Sequence, residues 1–395
     1  MSYRIASLFS GCGGLDLGFT GGFNFYQHHF DRLDTHIVFA NDFDTDAETC
    51  YNSNQLLVAD GACCLLQDIR TVDTKNIPDF DILLAGFPCQ PFSNAGNRKG
   101  VNDANGRGTL FVECERILKS KIEAGVPPMA FVFENVRGIM SSKMDTGISV
   151  PEEIRNRMET LGYHVSMQLV CASDYGVPQK RYRFLIIGTR KDLPQFNFDT
   201  MERIVREYNI PSEKQGTPEK LLLGSIMQNL DGVANGEYWE YSRTTQEMVE
   251  HIGACRHGND ILPLFNGDFQ KEDLPIIAFE GRSWKDVPYE LLTPRFRKIA
   301  DNPKKYHAPK FFRRFAYGEI NGTITASAQP ENCGITHPIE NRRYTVRECA
   351  RIQSFPDDYT FSAIPLQARY KVIGNAVPPI LGWVIAKSLI ETIHH

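Results

Sequence analysis

Short apolar runs alternate with helical patterns through the first half of this chain. Ile5-Ala6-Ser7-Leu8-Phe9 ends in Ser10-Gly11-Cys12-Gly13-Gly14, and His36-Ile37-Val38-Phe39-Ala40 ends in Asn41-Asp42. Phe80 to Ala85 and Ala130-Phe131-Val132-Phe133 follow, the last running into Glu134-Asn135-Val136. Such runs, bounded by turn residues, read as buried strands. Leu110 to Ala124 carries apolar residues at 110, 114, 117, 118 and 122 and stops at Gly125. Ser149 to Leu161 opens with Ser149 and Glu152 in capping-box spacing, sets Ile154, Met158 and Leu161 on one face, and stops at Gly162. The alternation predicts a doubly wound α/β fold, a parallel sheet covered by helices on both faces. Val165 to Val170 and Arg183 to Gly188 read as a closing pair of strands, with an antiparallel arrangement open at the sheet edge.

From about Leu193 to residue 340 the periodicity lapses into Pro, Gly, Asn and charge, the mark of a second, irregular domain. Regularity returns at Thr345-Val346-Arg347-Glu348, a capping box opening a helix from Val346 to Ser354. Gly374-Asn375-Ala376-Val377-Pro378-Pro379 precedes an apolar helix from Ile380 to Ile393. The expected division is 1–192, 193–344, and a returning segment 345–395 that completes the first domain.

Composition narrows the classes. The 395 residues suffice for two domains, and no apolar run of membrane length or signal-peptide layout is expected. Ten cysteines, none in a Cys-x-x-Cys pair, argue for a reducing cytoplasm and against a structural zinc; no metal is expected. The net charge of −5 hides one local exception: Arg282 to Arg314 holds ten Lys/Arg against three acids, interleaved with aromatics. That stretch is either a phosphate-contacting surface or a solvated face over core aromatics.

Three features carry chemistry. Phe9 to Leu15 is a glycine-rich turn between strand and helix, where a ligand can approach the backbone. It departs from the dinucleotide fingerprint, because Asp16 stands where the third glycine belongs. With Asp42 placed for ribose hydroxyls and Asp68-Ile69 for an adenine edge, an adenosine-containing cofactor other than NAD fits better. Cys89 follows the Phe80–Ala85 strand in Gly86-Phe87-Pro88-Cys89-Gln90-Pro91-Phe92-Ser93, at the sheet edge where open α/β folds bind ligands. A carboxylate such as Glu134 raises a neighbouring thiol's pKa, so the pair suits addition to a ring rather than thiol activation. Gln179-Lys180-Arg181-Tyr182-Arg183 offers two guanidinium groups at i and i+2 on one side of a short strand.

In this order, the Phe-Ser-Gly-Cys-Gly-Gly, Gly-Phe-Pro-Cys-Gln-Pro-Phe-Ser, Glu-Asn-Val, Gln-Lys-Arg-Tyr-Arg, Arg347 to Pro356 and Gly374 to Pro379 motifs resemble the DNA (cytosine-5) methyltransferases over residues 5 to 380. The resemblance implies a Rossmann-like fold dependent on S-adenosylmethionine, with a target-recognition domain in the irregular stretch. It implies Cys89, Glu134, Arg181 and Arg183 as catalytic residues. Cys89 adds to C6 of a flipped-out cytosine, Glu134 bonds N3 and the amine, Arg183 holds O2, and Arg181 fixes loop and ring. The base that takes the C5 proton is not written in the sequence. Cofactor contacts carry over to Phe9, Ser10, Gly11, Cys12, Gly14, Leu15, Asp42, Phe43, Asp68, Ile69, Pro88, Leu110, Asn375, Ala376 and Val377, with S-adenosylhomocysteine as product. DNA contacts are expected at Gln90, Ser93, Arg98, Lys99, Arg107, Arg313 and Arg314, with residues 94–107 matching the loop that closes over DNA. Implied partners are duplex DNA and a separate cognate restriction endonuclease, for a bacterial cytoplasmic monomer with no membrane association. The rivals are an RNA cytosine methyltransferase, whose Cys-Phe-Thr signature is missing here, a non-catalytic relative, and a nicotinamide oxidoreductase.

Overall fold

The computed structural model describes residues 2–59, 61, 63–87, 110–255, 281–302, 311–331 and 333–394. Its seven-stranded sheet runs through β1 (Tyr3–Leu8), β2 (Thr35–Asp42), β3 (Cys64–Leu66), β4 (Ile82–Ala85), β5 (Ala130–Val136), β6 (Tyr163–Cys171) and β7 (Tyr182–Arg190). Their spatial order is β3-β2-β1-β4-β5-β7-β6. The first five strands pair in parallel; β7 lies antiparallel between β5 and β6. The antiparallel strand is therefore one inserted hairpin arm inside the edge. Strand order reverses between β1 and β4, so the crevice at their carboxyl ends is the switch point where such folds take ligands.

Both faces of the sheet are covered, which is why its central strands read as continuous apolar runs. Leu83 and Ala85 join Phe131, Phe133 and Ile186 in a core closed by α3 (Phe111–Glu123) and α4 (Val150–Thr160), through Ile117, Leu118, Ile154 and Met158. Elsewhere α1 (Gly14–Thr20) and α5 (Asp199–Glu207) pack on the C-terminal helix, Pro379–His394. The approach on α1 is backbone to backbone: a Cβ on Gly18 would stand 2.6 Å from Gly382 Cα. Contrary to expectation, an apolar window of membrane length does exist, within Leu366–His394; 83% of it is buried in the protein, so it is core.

The division into units differs from the expected one. One unit comprises Met1–Tyr175, Tyr182–Ile210 and Ala376–His395; the other comprises Gly176–Arg181 and Pro211–Asn375. Residues 193–210 stay with the sheet because α5 buries Met201, Ile204 and Val205. The segment 345–375 joins the second unit, where Gln179–Lys180 pairs with Asn321–Gly322.

Among the described residues of that second unit, the longer elements are α6 (Arg243–Ile252), α7 (Pro294–Asp301), α8 (Val346–Ile352) and α9 (Leu366–Asn375). Met248, Val249, Ile252, Trp284, Phe296, Ile299 and Phe312 form an apolar cluster. Buried arginines do the rest. Arg347 donates to the carbonyls of Ala234, Pro356 and Tyr359, and Arg351 to those of Ile226, Gln228 and Asn229. Irregular backbone leaves carbonyls without ladder partners, and a guanidinium with five donors can satisfy several at once.

Candidate active site

The carboxyl ends of β1 and β2 build one half of the site. After β1 the chain turns at Phe9 (φ 56°) and Gly11 (φ 58°), and Gly13 (φ 77°) caps α1 in the left-handed region. A Cβ on Gly13 would stand 2.3 Å from the Leu57 side chain, so glycine is required there; at Gly11 the space is open. Ser10 N donates to Asn41 O at 3.0 Å, tying the turn to β2.

Asp42 is buried, with each carboxylate oxygen already accepting one backbone N–H. Gly11 N donates to Oδ2 at 2.8 Å and Asp44 N to Oδ1 at 2.9 Å. Burial pushes the Asp42 carboxyl up, and those backbone donors oppose the shift. Each oxygen retains acceptor capacity for a hydroxyl. The next residue, Phe43, is 64% exposed, a bare ring beside a buried acid. Asp68 caps the turn Ile69–Thr71 and pairs with Arg70, whose guanidinium holds its carboxyl below the usual range. Ile69 is buried, its carbonyl held by Arg116 Nη2 at 2.9 Å. Leu110 is half-buried against the core at the head of α3.

The other half lies at β5 and β7. In their antiparallel register Leu185 faces Glu134 and Arg183 faces Val136. Glu134 and Arg183 are thus diagonal neighbours on one face, and they form a buried ion pair, Arg183 Nε to Glu134 Oε1. Gly86, just beyond β4, adjoins this pair: a Cβ there would sit 3.5 Å from Glu134 Oε2. Asn135 Nδ2 holds the Phe87 carbonyl at 3.3 Å. The chain leading toward Cys89 thus leaves the sheet beside the carboxylate. Cys89 itself, with Pro88, Gln90, Ser93, Arg98, Lys99 and Arg107, lies outside the described residues.

Residues 3–391 match the family model of the C-5 cytosine-specific DNA methylases. The chain belongs to that family. It is 32% identical to the Type II methyltransferase M.FnuDI of Fusobacterium nucleatum, over 99% of this chain and 95% of that one. It is 30% identical to M.NgoPII of Neisseria gonorrhoeae, over 99% and 96%. Among solved structures, a putative DNA modification methyltransferase encoded within an E. coli prophage aligns over the whole of both chains, with a TM-score of 0.59 and 20% identity; that likeness speaks to fold. The protein is a DNA (cytosine-5) methyltransferase, and its reaction requires a methyl donor.

Several expectations for the methylase need correction. Arg181 and Arg183 do not share one side of a strand, because the strand breaks between Lys180 and Tyr182. Arg181 turns into the second unit, fully buried, and donates to Ile324 O at 2.9 Å and Gly374 O at 2.8 Å. A Cβ on Gly374 would stand 2.4 Å from the Thr325 backbone. Arg181 therefore holds the backbone just before Asn375 through Gly374 O. Asn375 ends α9 exposed, and Ala376 and Val377 are buried.

Arg314 is also withdrawn as a DNA contact. It is 0% exposed and donates to the carbonyls of His337, Glu340 and Val249 and to Asn341 Oδ1. Its neighbour Arg313 is half-buried and pairs with Glu319. Of the basic stretch, Lys285, Arg295 and Lys298 are exposed, whereas Trp284, Phe296 and Phe312 are core. Cys12 presents only backbone to a ligand, since its side chain is buried against Cys50; that thiol contact and burial push it far from reactivity. Asp16, which in the sequence reads only as a broken fingerprint, lies buried in α1 and accepts from Ser7 and Tyr51. An acid between Leu15 and Leu17 in a buried helix was the available signal.

Proposed function

We propose that this methylase modifies C5 of a cytosine flipped out of a short, specific duplex sequence, taking the methyl from S-adenosylmethionine. The Phe9–Leu15 turn, Asp42 and Phe43 suit that donor. Gly11 leaves open space at the backbone, the buried Asp42 has acceptor capacity for two ribose hydroxyls, and the Phe43 ring is free to cover adenine. When bound, S-adenosylmethionine supplies an electrophilic sulfonium methyl.

The Glu134–Arg183 pair, beside Gly86 at the start of the Cys89 segment, is the observation that carries the reading. A cytosine entering there meets a Glu134 carboxyl that, once protonated, donates to N3 and accepts from the exocyclic amine, and a guanidinium that donates to O2. Both draw electron density from the ring as the Cys89 thiolate adds to C6, making C5 nucleophilic. Once C5 is alkylated, its proton leaves and the electron pair re-forms the 5,6 double bond, expelling the thiolate. Flipping costs a few kcal/mol, returned by contacts to the extruded base. Lys285, Arg295 and Lys298 serve as phosphate contacts in the recognition region. The likeness to Type II methyltransferases of bacteria supports a bacterial modification enzyme; acting as a cytoplasmic monomer beside a separate endonuclease is part of the same proposal.

Labelled methyl transfer onto mixed-sequence duplex DNA, followed by base-resolution mapping, tests this. Label confined to C5 within one short motif is the expected result. Transfer only to RNA, or to no nucleic acid despite donor binding, overturns it.

A further inference from the structure

Asp16 lies fully buried on α1, and among the described residues no cation pairs with it. Its carboxylate accepts from Ser7 Oγ at 2.7 Å and from Tyr51 OH at 2.9 Å. Ser7 Oγ in turn accepts from Ser10 Oγ at 2.9 Å, and Ser10 Oγ accepts from Asn41 N at 3.3 Å. Asn41 Nδ2 then holds the carbonyls of Leu65 and Gln67 at 2.9 and 2.8 Å. One continuous relay joins α1, β1, the glycine-rich turn, β2 and the loop that leads to Asp68.

An ionised carboxylate only accepts, so it fixes the direction of the Ser7 and Tyr51 hydroxyls and leaves Ser7 Oγ free to accept. With Asp16 as acceptor, the Ser7 hydroxyl donates to it, Ser10 Oγ donates to Ser7 through either its Oγ at 2.9 Å or its carbonyl at 3.2 Å, and a Ser10 lone pair is left for Asn41 N. This sets the turn that carries Gly11 against Asp42. A neutral apolar residue would fill the same place without the cost of burying a charge. We propose that Asp16 is a positioning residue for the methyl donor, holding the Ser10–Gly11 turn in register with Asp42 through Ser7 and Ser10. The inference rests on the donor site proposed above.

Burial pushes the Asp16 carboxyl up to about 6, with Ser7 and Tyr51 opposing the shift. The groups that face it are Ser7 from β1, Tyr51 from α2 (Thr45–Asn52) and the Cys64 thiol from β3. The C-terminal helix brings the uncharged Pro379 and Gly382 to α1. Its folded pKa lies above the ordinary 3.8, so Asp16 disfavours the folded state above about pH 6, and that penalty fades as pH falls. Protonation makes Asp16 a donor and disturbs the relay. Acidification therefore relieves a stability cost while loosening the donor site, a divergence that a purely structural acid would not show.

The test is calorimetric binding of S-adenosylhomocysteine to Asp16→Asn, with Asp42→Ala as reference. At about pH 8, Asp16→Asn is expected to weaken binding about tenfold. Its thermal midpoint should not fall, and kcat at saturating donor should stay within about threefold. Wild-type affinity should fall more steeply than the variant's as pH drops through about 6, and equal slopes in the two proteins would overturn the link to Asp16. Unchanged affinity in Asp16→Asn with loss in Asp42→Ala overturns the role of Asp16 alone. Unchanged affinity in both overturns the donor site itself. Should Asp16→Asn fold poorly, Ser7→Ala decides, since Ser7 joins Asp16 to Ser10 and is not itself a methyl-donor contact: weaker binding at an unchanged midpoint supports the relay, and unchanged binding overturns it.

Discussion

The two units of this methylase are held together by different physics. In the sheet-bearing unit, backbone polar groups satisfy one another in ladders and helices, and side chains are left to pack: Leu83, Phe131, Ile186 and Met158 are wholly buried and apolar. In the described residues of the other unit the backbone is mostly irregular, and Arg181, Arg314, Arg347 and Arg351 reach inward to cap carbonyls. Arg343 sits buried over three aromatic rings, Trp239, Tyr241 and Tyr370. Where backbone order is local, stability is spread over many apolar contacts. Where it is not, a few cations carry much of it, and burial lowers the Arg314 and Arg347 pKa values as the cost of that service.

Substitutions can break or sharpen this contrast. Arg314→Ala takes the guanidinium donors from His337 O, Glu340 O and Asn341 Oδ1, and from Val249 O, which keeps Gly253 N, and should cost about 3–5 kcal/mol, at about 1–3 kcal/mol for each buried acceptor left unsatisfied. Hydrogen exchange should place the damage within 211–375, and a loss below about 1 kcal/mol would dissolve the contrast. Next, Arg183→Lys in the sheet unit keeps the charge but loses the planar fork opposite Glu134. It should lower kcat about a hundredfold with unchanged donor affinity; single-turnover kinetics beside calorimetry would expose a loss in binding instead. Thr345→Ala removes the side-chain acceptor for Glu348 N and half of a capping box, for about 1 kcal/mol in denaturant titration. Smallest, Ile186→Val trims one methylene from the sheet core for about 0.5–1.5 kcal/mol. An Ile186→Val cost equal to that of Arg314→Ala would show that the two units share one kind of stability.

The same contrast explains what was legible beforehand. β1, β2, β4 and β5 were readable because strands buried on both faces are unbroken apolar runs, and the proposed site residues Phe9, Asp42, Gly86 and Glu134 stand where those runs end. β3 escaped notice because Cys64–Leu66 is a three-residue edge strand whose Leu65 and Leu66 are exposed. The helices at Arg243–Ile252 and Pro294–Asp301 had their signals in Ser242, Gly253 and Thr293, but each spans ten residues or fewer, too short for periodicity to stand out. Charge pattern misled most at Arg313-Arg314. Adjacent arginines look alike in a basic run, yet one pairs at the surface with Glu319 and the other is a buried carbonyl clamp. The Asp16 relay was unreadable because its hydroxyls come from separate elements that only the fold assembles.

Covalent trapping tests the central claim most directly. In a duplex carrying the mapped motif with 5-fluorocytosine at the target base, C5 bears fluorine where a departing proton is needed, so elimination cannot complete once the methyl has been transferred. The account predicts a stable protein–DNA adduct that requires S-adenosylmethionine, maps by peptide mass to Cys89 and vanishes in Cys89→Ser. An adduct on another residue, or none while ordinary substrate is methylated at C5, would contradict it.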